Sequence, residues 1–263
     1  MITLILVSSI IIIISYFGYW NSRGMADYYS SQPMMIAHRG TTTSFPENTI
    51  EAYKKSVKIG FRSIEVDVLC SKDGVIFCSH NYELETETNN TGDIHKMNST
   101  EIDQIRTGVY SHPDNQRFIP RLESVSEKLP NNIRLNIEVK FSSPFDFSTI
   151  SKLRKMILNK KINQPILISS FNPFIVFYAR WFIPKVRIGY LVETLGMVKW
   201  THFCHPDCLH PKADLLNNNL IKECNKKNMS INTWTVNTES GIKYCKEINI
   251  NGIITDRADV LSM

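Results

Sequence analysis

Glycine and proline are scarce, eleven of each in 263 residues, and no stretch is of low complexity. Collagen-like and disordered chains are thereby excluded, and the scattered glycines leave no Gly-rich loop to cradle the phosphates of a nucleotide. The cation excess is small: 30 Lys and Arg against 25 Asp and Glu give a net charge of +5. It is spread along the chain and forms no basic block, so no nucleic-acid partner is expected. Nor is an obligate protein partner evident. Six cysteines (Cys70, Cys78, Cys204, Cys208, Cys224 and Cys245) match no disulfide-dense spacing. A chain that is 43% hydrophobic can bury a core without staples, and they are read as free thiols. His202, Cys204, His205, Cys208 and His210 crowd metal-ligating residue types into one run broken by Pro206 and Pro211. Structural zinc is ordinarily held by two separated pairs, so no zinc site is expected there.

Charge is absent from residues 2 to 20, ITLILVSSIIIIISYFGYW. At the helical rise this run spans about 28 Å, near the hydrocarbon thickness of a bilayer. It has neither the basic start nor the small-residue cleavage site of a secretory signal peptide. Tyr16, Phe17, Tyr19 and Trp20 suit an interfacial aromatic belt. The expectation is a retained N-terminal transmembrane helix within an anchor of residues 1–22, a polar linker over 23–33, and a single-pass membrane protein. Arg23 biases the globular part only slightly toward the cytoplasm, so its side stays open.

From residue 34 onward, short β-branched runs alternate with longer amphipathic segments, the pattern of an α/β fold. MMIAH, RSIEVDV, GVIFCSH, RLNIEVK, PILISSF, VRIGYLV, SINTWTV and NGIITD are predicted strands. Helices are predicted over 47–59, 121–129, 147–160, 173–182, 214–227 and 239–247. Eight strands with intervening helices in about 230 residues fit a (β/α)8 TIM barrel over 34–263, with a doubly wound open sheet as second choice. The polar, Asn/Thr-rich stretch of about 81–117 breaks the alternation and reads as a small insertion after an early strand, near the rim.

In such barrels chemistry sits at the carboxyl ends of the strands, so polar residues ending apolar runs are candidates for function. Glu65 and Asp67 lie two apart on one strand and face the same side. Neighbouring carboxylates stay ionised together when a cation lies between them, and oxygen ligands suit Mg2+ or Ca2+. Glu138 on another strand and Glu47 in FPENT can complete the shell. His38 and His80 follow apolar runs and form a candidate acid/base pair. Arg39 and Lys140 add fixed positive charge for a phosphate, and Gly40 would let backbone approach the ligand. One glutamate or one histidine at a strand end is usually structural; the set together points to phosphoryl transfer without a nucleotide loop.

These residues lie in AHRG (37–40), PENT (46–49), EVDV (65–68), DGVIFCSHN (73–81), IEVK (137–140), WTVN (234–237) and GIITDR (252–257). In order and spacing the set resembles the glycerophosphodiester phosphodiesterase family, over residues 34 to 260. The resemblance implies a barrel that hydrolyses glycerophosphodiesters to glycerol 3-phosphate and an alcohol with one divalent cation. It implies His38 and His80 as acid and base, Glu65, Asp67 and Glu138 as metal ligands, and Glu47 in the metal shell or positioning it. Arg39 and Lys140 would bind the phosphate, and Trp234 and Asn237 would line the mouth. The substrate's own glycerol hydroxyl would be the first nucleophile, giving a cyclic phosphate that water opens. One departure stands out: the family pattern has Asp after the second histidine, and this chain has Asn81. A membrane anchor adds lysophospholipase D activity, releasing lysophosphatidic acid, as an alternative. A catalytically silent lipid-binding barrel is the reading from another class, and it would require a missing histidine or metal carboxylate.

Overall fold

The computed structural model describes residues 2–25 and 27–262. In chain order the elements are α1 (Ile2–Gly18), β1 (Met34–Ala37), α2 (Ile50–Ile59), β2 (Ser63–Cys70), β3 (Ile76–Cys78), α3 (Ser99–Ile102), β4 (Arg106–Thr107), β5 (Arg117–Phe118), α4 (Leu122–Lys128) and β6 (Arg134–Val139). There follow α5 (Ser148–Leu158), β7 (Ile166–Ser170), α6 (Pro173–Phe182), β8 (Arg187–Val192), α7 (Thr201–Cys204), β9 (Cys208–Pro211), α8 (Asn218–Lys226), β10 (Ser230–Thr233), α9 (Glu239–Glu247) and β11 (Gly252–Thr255).

Strands β1, β2, β6, β7, β8, β9, β10 and β11 pair in parallel, and the β1–β2 pairing closes the ring into a (β/α)8 barrel. Two sequence expectations change places here. GVIFCSH forms β3, which pairs antiparallel with β2 as a hairpin outside the ring. The few residues between Cys70 and Ile76 suffice for a turn, whereas a parallel return needs a dozen or more. The eighth barrel strand is β9, CLHP, inside the segment first singled out for its cysteines and histidines. Its histidine and proline hide the apolar run, yet all four residues are buried.

Apolar side chains between the strands and the outer helices make the main core. A second cluster, with Met25, Tyr28, Met34, Ile36, Leu167, Cys208 and Ile254, closes the amino-terminal end of the barrel. The described part of 23–33, expected as a polar linker, therefore acts as a strap through Arg23, Met25 and Tyr28. Arg23 and Arg180 both ion-pair with Asp207, whose side chain is fully buried and also accepts from the Ile188 amide at 3.0 Å. Removing one partner of a buried pair leaves the other charges uncompensated. Asp207→Ala is accordingly expected to cost about 3–5 kcal/mol, to be read as a lower urea midpoint. An unchanged midpoint would deny the strap any role in stability.

The expected transmembrane helix over 2–20 is corrected. α1 has 17 residues, a length of about 26 Å, and among the described residues no helix is long and apolar enough to cross a membrane. The apolar run shortens because its aromatic end turns onto the barrel. Tyr16 donates to the Phe203 carbonyl at 2.6 Å, and Trp20 is buried, stacked on His205 at 4.7 Å between ring centres. All six cysteines are buried free thiols.

The insertion has a small core of its own, in which Leu84, Ile94, Ile102 and Ile105 pack on Leu69 of β2 and Phe77 of β3. It is thereby fixed against the barrel beside the loop that carries His80.

Candidate active site

At the carboxyl end of β1 the chain leaves the barrel through His38 and turns sharply. Arg39 adopts φ 53° and Gly40 φ 84°. A Cβ on Gly40 would lie 2.9 Å from the backbone carbon of Ala52. The glycine therefore admits α2, and the expectation that it admits a ligand is not met. The turn aims the Arg39 amide at Glu65 Oε2, 3.0 Å away. Thr49 caps α2 by accepting from the Ala52 amide, and the preceding Asn48 is buried.

Register then gathers the carboxylates. Asp67 on β2 lies directly beside Glu138 on β6, with Glu65 one pleat below. Ligand oxygens from Glu65, Asp67 and Glu138 all lie within 4.8 Å of one another, and all three residues are buried. Among the described residues this is the one such cluster of three or more metal-ligating side chains, so His202, Cys204, His205, Cys208 and His210 do not converge. Lys140 Nζ lies 2.8 Å from Asp67 Oδ1 and also pairs with Glu138. Arg39 Nε lies 3.2 Å from Asp67 Oδ2. Asn48 Nδ2 donates to that same oxygen at 2.8 Å, and its Oδ1 accepts from the Asp67 amide. Glu65 Oε1 is buried with no hydrogen-bond partner. An orphaned, buried carboxylate oxygen facing two further carboxylates is the donor set expected of a hard divalent cation.

Electrostatics point the same way. Burial, with Asp67 and Glu138 close by, pushes the Glu65 carboxyl well above its ordinary range. Burial raises Glu138 as well. Asp67 is equally buried, but Lys140 and Arg39 hold it below the usual carboxylate range. The three carboxylates thus carry more charge than Lys140 and Arg39 balance, and a cation would remove the need for a proton on Glu65.

Glu47, expected in the metal shell or positioning it, lies against Arg39. Both of its oxygens accept from Arg39 Nη1 at 3.0 Å, and it is not one of the three clustered carboxylates. It steadies Arg39 against Asp67.

His38 and His80 line one cavity of about 100 Å3, together with Arg39, Glu65, Glu138 and Lys140. His80 reaches it from the loop after β3 and not from a barrel strand. Its Nδ1 meets Asn81 Oδ1 at 2.8 Å. Burial, reinforced by Lys140 and Arg39, pushes its pKa down to about 4. Across the mouth, His38 Nδ1 lies 2.7 Å from Asp256 Oδ1. Donation of Nδ1–H to that carboxylate leaves Nε2 free to exchange a proton. Burial opposes the charge on Asp256, but hydrogen bonds from His38 and Asn237 hold its carboxyl below the ordinary value.

Trp234 forms part of the cavity wall with Phe171 and donates Nε1–H to the His210 carbonyl at 2.7 Å. Asn237 is exposed, donates to Asp256 and accepts from the Asp256 amide at 2.9 Å, so it holds the His38 partner and is not among the residues that line the cavity. Asp256 and Asn48 are the site residues that sequence reasoning missed. Both lie inside quoted motifs, GIITDR and PENT, and Asp256 directly follows the last barrel strand. Asp256→Asn is expected to lower kcat by about 10-fold to 10⁴-fold through loss of the tautomer and of charge compensation. KM and metal affinity should change little. Equal losses in kcat and metal affinity would make Asp256 merely structural.

Against known proteins, residues 38–260 match the model of the glycerophosphoryl diester phosphodiesterase family. The glycerophosphodiester phosphodiesterase of Caldanaerobacter subterraneus subsp. tengcongensis is 29% identical over 233 residues, covering 87% of this chain and 96% of that protein. The glycerophosphodiester phosphodiesterase of Bacillus subtilis is 22% identical over 247 residues, covering 86% of this chain and 84% of that protein. Among solved structures, the fold resembles an Oleispira antarctica phosphodiesterase in complex with the product sn-glycerol-3-phosphate, with a TM-score of 0.78 and 24% identity. That likeness covers 88% of this chain and 96% of the other. A barrel with its polar residues gathered at one mouth, matched by the family model over all but the N-terminal segment and the last residues, belongs to the glycerophosphoryl diester phosphodiesterase family of hydrolases.

Proposed function

We propose that the chain hydrolyses glycerophosphodiesters to glycerol 3-phosphate and an alcohol, using one divalent cation, Mg2+ or Ca2+, and proton transfer by His38 and His80. The supporting observation is the buried carboxylate triad, with Glu65 Oε1 unpartnered, beside two imidazoles that line the same cavity. Glu65, Asp67 and Glu138 would hold the cation, which when bound draws charge from a phosphoryl oxygen and acidifies a hydroxyl.

The side chains divide the remaining work. Lys140 and Arg39 supply fixed positive charge for the phosphate. His38 Nε2 takes the proton of the attacking glycerol hydroxyl, and the Asp256 carboxylate compensates the imidazolium that forms. As the new P–O bond forms, the bond from phosphorus to the alcohol breaks, and His80 gives the departing oxygen its proton. His80 can charge once substrate is bound, because the phosphodiester's negative charge offsets the cations that hold the ring low. A water opens the resulting cyclic phosphate with the two rings in exchanged roles.

A cavity of about 100 Å3 takes the glycerol phosphate part, and the apolar side chains of Phe171, Leu191, Trp234 and Ile254 line it. That apolar lining keeps lysophospholipase D activity as a second reading. A silent lipid-binding barrel would be expected to lack one of the histidines or clustered carboxylates, and all five side chains are kept in this sequence. The deciding experiment incubates the protein with glycerophosphocholine and with lysophosphatidylcholine, each with Mg2+, Ca2+ or chelator. Metal-dependent release of choline from the first is expected. No turnover of either substrate by folded protein would end the enzyme reading.

Asn81 makes a further prediction. A neutral amide stabilises the His80 imidazolium less than a carboxylate does. His80 must carry a proton to serve as the acid, so activity falls as pH rises above the pKa of its ring, held near 4 in the free protein. Asn81→Asp should raise that pKa and move this alkaline limb of kcat/KM to higher pH. A limb that stays in place, or moves lower, contradicts the role given to this contact.

A further inference from the structure

One surface feature has no part in this chemistry. Phe145, in the loop that follows Lys140, is 71% exposed, and its ring centre lies 4.9 Å from that of Phe174 on α6. Phe174 contacts Trp200 and Phe203, and Phe203 stacks on Phe177 at 4.9 Å. From there the chain of rings passes to Trp181 and on to Tyr16 of α1, each step 6.4 Å. An aromatic stripe thus runs down the outside of the barrel from the mouth to the root of α1, with Trp181 51% and Trp200 45% exposed.

We propose that this stripe is a lipid-facing surface by which the barrel lies against a phospholipid bilayer. Three observations favour lipid over a protein partner. First, the stripe is continuous with α1, which bears no charge and exposes Ile10, Ile11, Ile12, Ile13 and Ile14 around its circumference. A protein partner covers one face of such a helix, whereas acyl chains cover all of them. The helix is too short to cross the bilayer, so with every face apolar it would enter the acyl layer of one leaflet beside the stripe. Second, tryptophan and tyrosine prefer that boundary, where the ring is buried and the polar edge stays wet. Third, cations flank the rings. Lys199 adjoins Trp200, Arg154 donates to the Phe182 carbonyl at 3.0 Å, and Lys227 binds the Gly18 carbonyl at 2.9 Å while lying 5.2 Å from the Trp20 ring centre. Arg154 and Lys227 bond only to backbone carbonyls and none of the three forms an ion pair among the described residues, so no protein carboxylate offsets their charge toward anionic headgroups. Seated this way, the barrel brings the Lys140 loop to the lipid surface. That consequence for substrate rests on the reaction proposed above; the seating does not.

The test uses the full chain and phosphatidylcholine–phosphatidylserine vesicles with brominated acyl chains, which quench the emission of tryptophans that touch them. The four tryptophans are Trp20, Trp181, Trp200 and Trp234. Quenching is expected, and the double substitution Trp181→Phe with Trp200→Phe should remove most of it while vesicle binding persists. Phe145→Ser with Trp200→Ser should weaken binding about tenfold or more and leave turnover of soluble glycerophosphocholine unchanged. Undiminished quenching in the Trp181→Phe/Trp200→Phe variant would show that lipid touches α1 alone and overturn the proposal. So would a chain that ignores the vesicles, or one that covers the stripe by dimerising in sedimentation. Absent turnover with intact quenching would refute the reaction and leave the surface standing.

Discussion

His38→Ala is expected to lower kcat on glycerophosphocholine by about 10²–10⁴-fold, with metal affinity unchanged, and His80→Ala by a similar factor. Each ring lines the cavity, and each has its Nδ1 occupied, by Asp256 in one case and Asn81 in the other. One free nitrogen per ring is thereby left for the substrate. Neither histidine belongs to the triad of clustered carboxylates, so metal should stay bound when a ring is removed. Because the two rings act in one sequence of proton transfers, the double variant should lose much less than the product of the single losses. Comparing single-turnover rates of the three variants checks this. Activity restored to either histidine variant by excess metal would contradict the division of labour.

Glu65→Gln is expected to act through the other half of the site. The substitution keeps the shape and removes the charge of a side chain whose Oε1 has no protein partner. Metal affinity should fall by roughly 10–100-fold or more, since an outer-shell partner alone is worth that much and a direct ligand should count at least equally. Saturating Mg2+ or Ca2+ should then recover part of the activity. The free protein should respond in the opposite direction. Without metal, burial and the neighbouring carboxylates push the Glu65 carboxyl upward and favour its protonated form, so the neutral glutamine replaces a neutral acid and should not destabilise the fold. Titration calorimetry with metal, alongside urea unfolding in chelator, separates the two effects. Unaltered metal affinity would remove Glu65 from the ligand set.

The carboxylate cluster was legible because its three members sit on regular parallel strands. Glu65 and Asp67 declare themselves by their spacing of two, and β6 brings Glu138 beside them by simple parallel pairing. The barrel was legible from its alternation, although one strand was misassigned. β9 carries a histidine and a proline in a run of only four residues, while β3 has the better strand sequence but too short a connection to enter the ring. What sequence could not supply were side-chain partnerships across loops. Glu47 lies in a motif beside the site, yet Arg39 takes both of its oxygens. Asp256 looked like a strand terminus, and its role depends on the side chain of a residue 218 positions away. The N-terminal helix failed as a membrane span for a related reason. Tyr16 at its end and Trp20 just beyond it pack on Phe203 and His205, which ends the apolar run short of a full span.

The most direct test is a crystal of the protein soaked in Mn2+, with anomalous scattering used to locate the ion. One anomalous peak per chain is expected among Glu65, Asp67 and Glu138, facing the cavity that His38 and His80 line. A map with no peak at that triad, from crystals of protein that turns over glycerophosphocholine in the same buffer, would contradict it.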